Sequence, residues 1–198
     1  VIVTLHLMGG MTILAMLTWL AMRQLHLRPP QPIDQIARLR GAALFGLILV
    51  IAQIALGGWV SANYAALACP DFPTCQGAWI PALDFGNAFH VMRELGVGAA
   101  GAPLTQEALN GIQCSHRAGA LVSVIVVGGL ALRALREPAL RLVSWLVIAL
   151  LLVQVALGIG NVLLRLPLVL AVAHNAGAAL LLVALVVLNF AVFKTQNR

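Results

Sequence analysis

Charge is scarce in this sequence. Lys and Arg supply 12 residues and Asp and Glu 6, together 9% of 198, where a soluble domain carries about 25%. With 62% apolar residues and a mean hydropathy of +1.00, too few polar side chains remain to face water. A soluble domain is therefore excluded, and so is a disordered chain, which needs low hydrophobicity. Acidic residues are few enough to leave a net charge of +6, a sign that points to nucleic acid only if the basic residues form one patch. Cysteine is scarce too. Three are too few for a disulfide-built scaffold and enough for one bridge.

What the sequence does have is long apolar runs. A membrane helix needs roughly 20 mainly apolar residues, and five stretches qualify: 1–22, 41–62, 112–132, 142–164 and 168–193. The expected fold is all-α and transmembrane, with spans 2–5 as a four-helix bundle and span 1 as an additional helix. A long segment, residues 63–111, separates the second and third spans and is too rich in Pro, Gly and Asp to cross a bilayer. The first run has no basic leading region and no small-residue cleavage site, so it is not a signal peptide. Without an initiating Met, the chain reads as part of a longer protein.

The basic residues sort by loop. Arg23, Arg28, Arg38 and Arg40 lie in the 23–40 connection, and Arg133, Arg136 and Arg141 in the third; Lys194 and Arg198 lie in the tail. All three read as cytoplasmic, because Lys and Arg resist translocation. Residues 63–111 carry Arg93 against Asp71, Asp84, Glu94 and Glu107 and read as external. Only Arg165, in a very short turn, falls on the other side. The chain thus starts outside and ends in the cytoplasm. The +6 is an orientation signal, the lipid bilayer is the expected partner, and nucleic acid is not.

Three histidines sit in or at the edge of a span, and ionisable residues there are costly enough to suggest function. Their neighbours repeat: His6 with Gly9 and Gly10, His116 with Gly119 and Ala120, His174 with Gly177 and Ala178. A glycine at i+3 and a tiny residue at i+4 lie on the histidine's own helix face, opening a flat space beside the imidazole. That suits a porphyrin held through axial His ligands on two facing helices. His116 and His174 can pair at one depth, and His6 has no evident partner. The alternative is that the small residues merely allow close packing and each His makes one interhelical hydrogen bond. Arg117 could meet a haem propionate through its planar fork, or could be a snorkelling flank residue. His26 and His90 read as solvated.

Cys69 and Cys75 are close in sequence and fall in the external segment, where oxidising conditions favour a structural disulfide. A reversible redox pair or a metal site with His90 are the other readings. Cys114 reads as a small packing residue. Trp59 and Trp79 suit the bilayer interface, and a stapled loop at the histidine end could cap a haem pocket. Two echoes complete the pattern. Gln53-Ile54-Ala55-Leu56-Gly57 recurs as Gln154-Val155-Ala156-Leu157-Gly158, in residues common enough here for chance. Span 1 matches span 5 in its histidine pattern, as if 1–22 were the last helix of a preceding four-helix unit and 41–198 a complete one.

The run from Gly57-Gly58-Trp59-Val60-Ser61-Ala62-Asn63 into Cys69-Pro70-Asp71-Phe72-Pro73-Thr74-Cys75-Gln76-Gly77, with His116-Arg117 and Ala173-His174-Asn175, resembles bacterial haem A synthases over almost the whole chain. The resemblance implies an inner-membrane oxidoreductase of two four-helix halves that oxidises a methyl group of haem O to the formyl group of haem A. It implies that His116 and His174 bind a haem b cofactor, with Arg117, Gly119 and Gly177 beside it, and that His6 is one ligand to the substrate haem. Haem O synthase or oxidase assembly proteins are the expected protein partners, and a homo-oligomer is compatible with the reading. Gln113 stands where the first half of the family has the Glu of Glu-x-x-His, so the catalytic carboxylate would lie outside this chain, which alone should be inactive. A membrane cytochrome b that only transfers electrons, or a non-catalytic haem-binding assembly factor, is the alternative function.

Overall fold

A computed structural model describes residues 2–25, 36–90 and 103–194. Its long elements are α1 (Ile2–Gln24), α2 (Arg40–Ala62), α4 (Gln106–Ala134), α5 (Arg141–Leu163) and α6 (Leu168–Lys194), with a one-turn helix α3 (Phe85–Ala88) in the long connection. These five long helices are long and apolar enough to cross a membrane, and no strand occurs among the described residues. The protein is an all-α membrane bundle.

Helix ends follow local chemistry. α4 starts earlier than the apolar run because Thr105 caps it, its hydroxyl accepting from the Ala108 amide, and because Gln106, Glu107 and Asn110 are polar residues that suit a helix end beyond the hydrocarbon. α5 and α6 are joined by a tight turn in which Arg165 and Leu166 adopt left-handed backbone angles, φ 58° and 61°. There the Leu166 amide donates to the Asn161 carbonyl at 2.7 Å.

Consecutive members of the ring α2, α4, α5 and α6 pack side by side, and α6 closes it against α2. α4 and α6 therefore face each other across the bundle. α1 lies outside the ring against α2 and α6. Lipid is as apolar as Leu, so close approach and polar ties hold such helices together more than apolar burial does. Both are present. Gly46 of α2 lets Leu130 and Val127 of α4 come near, and the buried Asn189 of α6 donates to the Ala43 carbonyl of α2 at 3.0 Å. α6 is the most enclosed span and α1 the least, with no buried residue.

Candidate functional site: two histidines framed by two glutamines

Alternation of the spans brings the start of α1, α4 and α6 and the end of α2 and α5 to one end of the bundle. His6, His116 and His174 all lie toward that end. Two of them are enclosed: His116 on α4 and His174 on α6 are half-buried, on helices that lie across the bundle from each other.

Each of these histidines sits in the same frame. Gln53 of α2 places its Nε2 3.0 Å from His116 Nδ1 and donates to the His116 carbonyl at 2.9 Å. Gln154 of α5 places its Nε2 3.4 Å from His174 Nε2 and donates to the His174 carbonyl at 2.9 Å. One turn further along the same faces, a Cβ on Gly57 would stand 3.2 Å from His116 Cε1, and one on Gly158 would stand 3.2 Å from His174 Cε1. The flat space expected beside each imidazole is used differently from the sequence reading. At Gly119 a Cβ would collide with Gln53 Oε1, and at Gly177 with Gln154 Oε1. The glycine notches thus receive a glutamine from the neighbouring helix. The echo treated as chance is a repeated side-chain frame.

His6 differs. Its neighbours Leu7 and Thr4 meet α2 at Gly58, so His6 points the other way and is exposed, with nothing within 4 Å of a Cβ on Gly9 or Gly10. His26 lies outside the described residues. His90, expected in solvent, is half-buried, and its Nδ1 is enclosed without a hydrogen-bond partner among the described residues.

The loop above the pair is closed by a Cys69–Cys75 disulfide, S–S 1.99 Å. Asp71 organises its interior by accepting from the Thr74 hydroxyl and from the Gln76 and Gly77 amides at 2.6 and 2.9 Å. Those bonds, led by Thr74, hold its carboxyl down at about 2. Arg117 has a role that neither sequence reading included. Its Nη1 donates to the Thr74 carbonyl at 2.8 Å, and its Nη2 to the Cys69 and Asp71 carbonyls at 2.9 and 2.8 Å. The guanidinium also lies 5.7 Å from the centre of the Phe72 ring. Arg117 clamps the disulfide loop onto the helix that carries His116.

Cys114 packs against the disulfide: its Sγ lies 3.9 Å from Cys69 Sγ, and the three sulfurs fall within 4.8 Å of one another. The third sulfur-bearing neighbour of the pair is thus Cys114, and His90 is not in that cluster. Fold contacts joined residues far apart in sequence here, and no local signal marks the approach. Trp59 is tied down, its Nε1 donating to the Ala88 carbonyl at 2.9 Å, whereas Trp79 is exposed. Gln113, where the resembled family's other half has Glu, donates to the Ala66 carbonyl at 3.3 Å.

Fold and site define a multi-pass, all-α membrane protein with two glutamine-framed histidines near a disulfide-closed loop. Residues 1–186 match the model of the COX15-CtaA family, described as cytochrome oxidase assembly protein, and the chain belongs to this family. It is 39% identical over 196 residues to a heme A synthase of Shewanella oneidensis, a match spanning 96% of this chain and 58% of that protein. It is 36% identical to a heme A synthase of Methylobacterium radiotolerans (86% and 44%) and 29% identical to heme A synthase COX15 of Arabidopsis thaliana (93% and 39%). The chain spans about half the length of the curated relatives it matches.

Proposed function

We propose that this chain is the cofactor-bearing part of a haem A synthase, an oxidoreductase that converts a methyl group of haem O to the formyl group of haem A. The observation that carries the reading is the framed pair His116 and His174 on facing helices, in a chain whose relatives bear that name. The residues can meet a haem: the two histidines stand on helices that lie across the bundle from each other, and the His174 ring keeps one nitrogen, Nδ1, without a hydrogen-bond partner among the described residues. Haem b, when bound by His116 and His174, would supply one-electron iron chemistry. The chain's own residues do the rest. Gly57 and Gly158 keep bulk away from the imidazoles, Gly119 and Gly177 admit the glutamines, and Arg117 holds the loop over this end through its terminal nitrogens. Its Nε, buried and unpartnered, is the donor left for a haem carboxylate.

α1 belongs, in this reading, with a preceding four-helix unit. Its exposed His6 face, with open space at Gly9 and Gly10, supports a substrate-haem ligand whose partner lies on that unit. Arg placement and the disulfide support a bacterial inner-membrane location with the start of the chain outside, the loop in the oxidising compartment and the end in the cytoplasm.

Two measurements test this. The purified chain should show a reduced-minus-oxidised spectrum of a low-spin b-type haem, lost in His116→Ala and His174→Ala; retention of that spectrum in both variants overturns the ligand assignment. The full-length gene product supplied with haem O should yield haem A by mass. Bound haem b without conversion would instead favour the electron-carrying cytochrome.

A further inference from the structure

At the end of the bundle away from the histidines, α2 and α4 leave an open groove of about 280 Å³ between them. Ala42 and Phe45 of α2 and Ile125, Val126 and Gly129 of α4 line it, and Arg133 of α4 closes the lining at one end. Phe45 and Ile125 are exposed, so the groove opens outward rather than into the bundle. Ile125, Gly129 and Arg133 are spaced by four and share one face of α4. At 1.5 Å per residue they span about 12 Å, most of the roughly 15 Å that one leaflet of hydrocarbon occupies. Arg133 is the second-to-last residue of α4, so its charge lies toward the membrane surface. Two features here are unexplained by helix packing. A Cβ on Gly129 would meet nothing within 4 Å, although a glycine inside a helix costs stability relative to alanine. Gly46 of α2 is filled by contrast, with Leu130 3.3 Å from its Cβ position. The exposed Arg133 guanidinium has no hydrogen bond or ion pair among the described residues. Arg136, also exposed, adds positive charge beyond the end of α4, and the acidic neighbour there, Glu137, is half-buried.

We propose that this groove binds one acidic phospholipid, with an acyl chain laid over Gly129 between Phe45 and Ile125 and the headgroup phosphate on Arg133. The lining is apolar like the chain, and the absent Cβ of Gly129 lets the chain lie against the helix backbone. The planar guanidinium fork suits two oxygens of a phosphate, and a basic group at the end of a cleft between spans is how acidic lipids are selected. A zwitterionic headgroup brings an ammonium that Arg133 and Arg136 repel, whereas an acidic one brings net negative charge. A partner helix is a poorer fit, since it is about 10 Å across with its side chains and the groove is shallow in volume. A lipid held there touches α2 and α4 together, the helices that carry Gln53 and His116. The site contains none of the histidines and stands whether or not the chain binds haem.

The test mixes the full chain, in a neutral detergent, with equal amounts of phosphatidylglycerol and phosphatidylethanolamine carrying the same acyl chains, and counts retained lipids by native mass spectrometry. One phosphatidylglycerol should be retained in several-fold preference to phosphatidylethanolamine. Arg133→Gln should bring the two lipids to parity. Gly129→Leu, whose side chain enters open space, should lower retention of both several-fold. Arg23→Gln, an exposed basic residue at the same end on α1, should leave the preference unchanged. Equal retention of the two lipids by the unaltered chain overturns the proposal, and so does an equal loss of preference in Arg23→Gln and Arg133→Gln, which marks a general surface charge. Glycerol phosphate, the headgroup without its chains, should not displace the bound lipid at equal concentration; displacement would make Arg133 a plain anion site and overturns the groove. A dimer of the unaltered chain that Gly129→Leu disperses would put protein in the groove and also overturns it. Arg133 is exposed and holds no described partner, so Arg133→Gln keeps the fold and decides the matter alone if Gly129→Leu does not fold.

Discussion

His6 and His174 carry the same local pattern, a histidine with a glycine at i+3 and a tiny residue at i+4, yet the structure treats them differently. His174 is gripped by Gln154 and faced by Gly158, and His116 is held likewise by Gln53 and Gly57. His6 lies exposed on α1, with open space beside Gly9 and Gly10. The difference shows that the pattern prepares a helix face, and that the neighbouring helix decides what the face becomes. A glycine notch beside an imidazole is space, and a glutamine supplied from outside gives it chemistry.

The largest effect expected from breaking this contrast is spectroscopic. In the haem-loaded chain, His116→Ala or His174→Ala should abolish the low-spin signal, while His6→Ala leaves it intact; loss on removing His6 would mean that the exposed histidine shares the same haem. Next comes the cover above the framed pair. Arg117→Leu removes three charge-assisted bonds to the loop at once, and at about 2 kcal/mol for the set, discounted for partial exposure, the loop should become readily cleaved by added protease. Unchanged cleavage would show that the disulfide alone holds it.

A smaller effect compares the notches directly. Gly119→Ala drives Gln53 out of its notch, losing bonds worth about 1–3 kcal/mol against a helix-propensity gain of about 1 kcal/mol, so thermal unfolding in detergent should fall modestly. Gly9→Ala keeps only the gain and should not lower it. Equal responses would show that the two notches are equivalent. The smallest effect is a pH dependence. Asp71 has its carboxyl lowered from 3.8 to about 2 by its hydrogen bonds, so its contribution to loop stability is fully present above pH 3.8. It is lost as pH falls toward about 2. Loop cleavage by an acid-active protease should therefore rise only within that window, and Asp71→Asn should remove the dependence.

Much of this was legible in advance. Spans 2–5 and α1 follow from apolar runs long enough for a bilayer, and the Cys69–Cys75 bridge from two nearby cysteines in a segment with few basic residues. The start of α4 was misplaced because its first turns are polar and depend on the Thr105 cap. Within the site, His116 and His174 stood out because an ionisable side chain is conspicuous among apolar ones. Gln53 and Gln154 were visible as an echo, but an uncharged amide in a helix does not announce its partner. The contacts of Arg117 and Cys114 are hidden for a related reason. Their partners, the loop carbonyls and Cys69, lie more than 40 positions away in the chain.

Sequence alone therefore determined the solvent of this protein, the number of its spans, the histidines worth attention and the family it resembles, because composition and periodicity act over one or two helical turns. Tertiary structure decided which histidines are gripped by a glutamine, which one is left outside, and how arginine and the third cysteine are used. Those outcomes depend on which helices become neighbours. Hydrogen bonds and van der Waals contacts act over a few ångströms of space, whatever the separation along the chain.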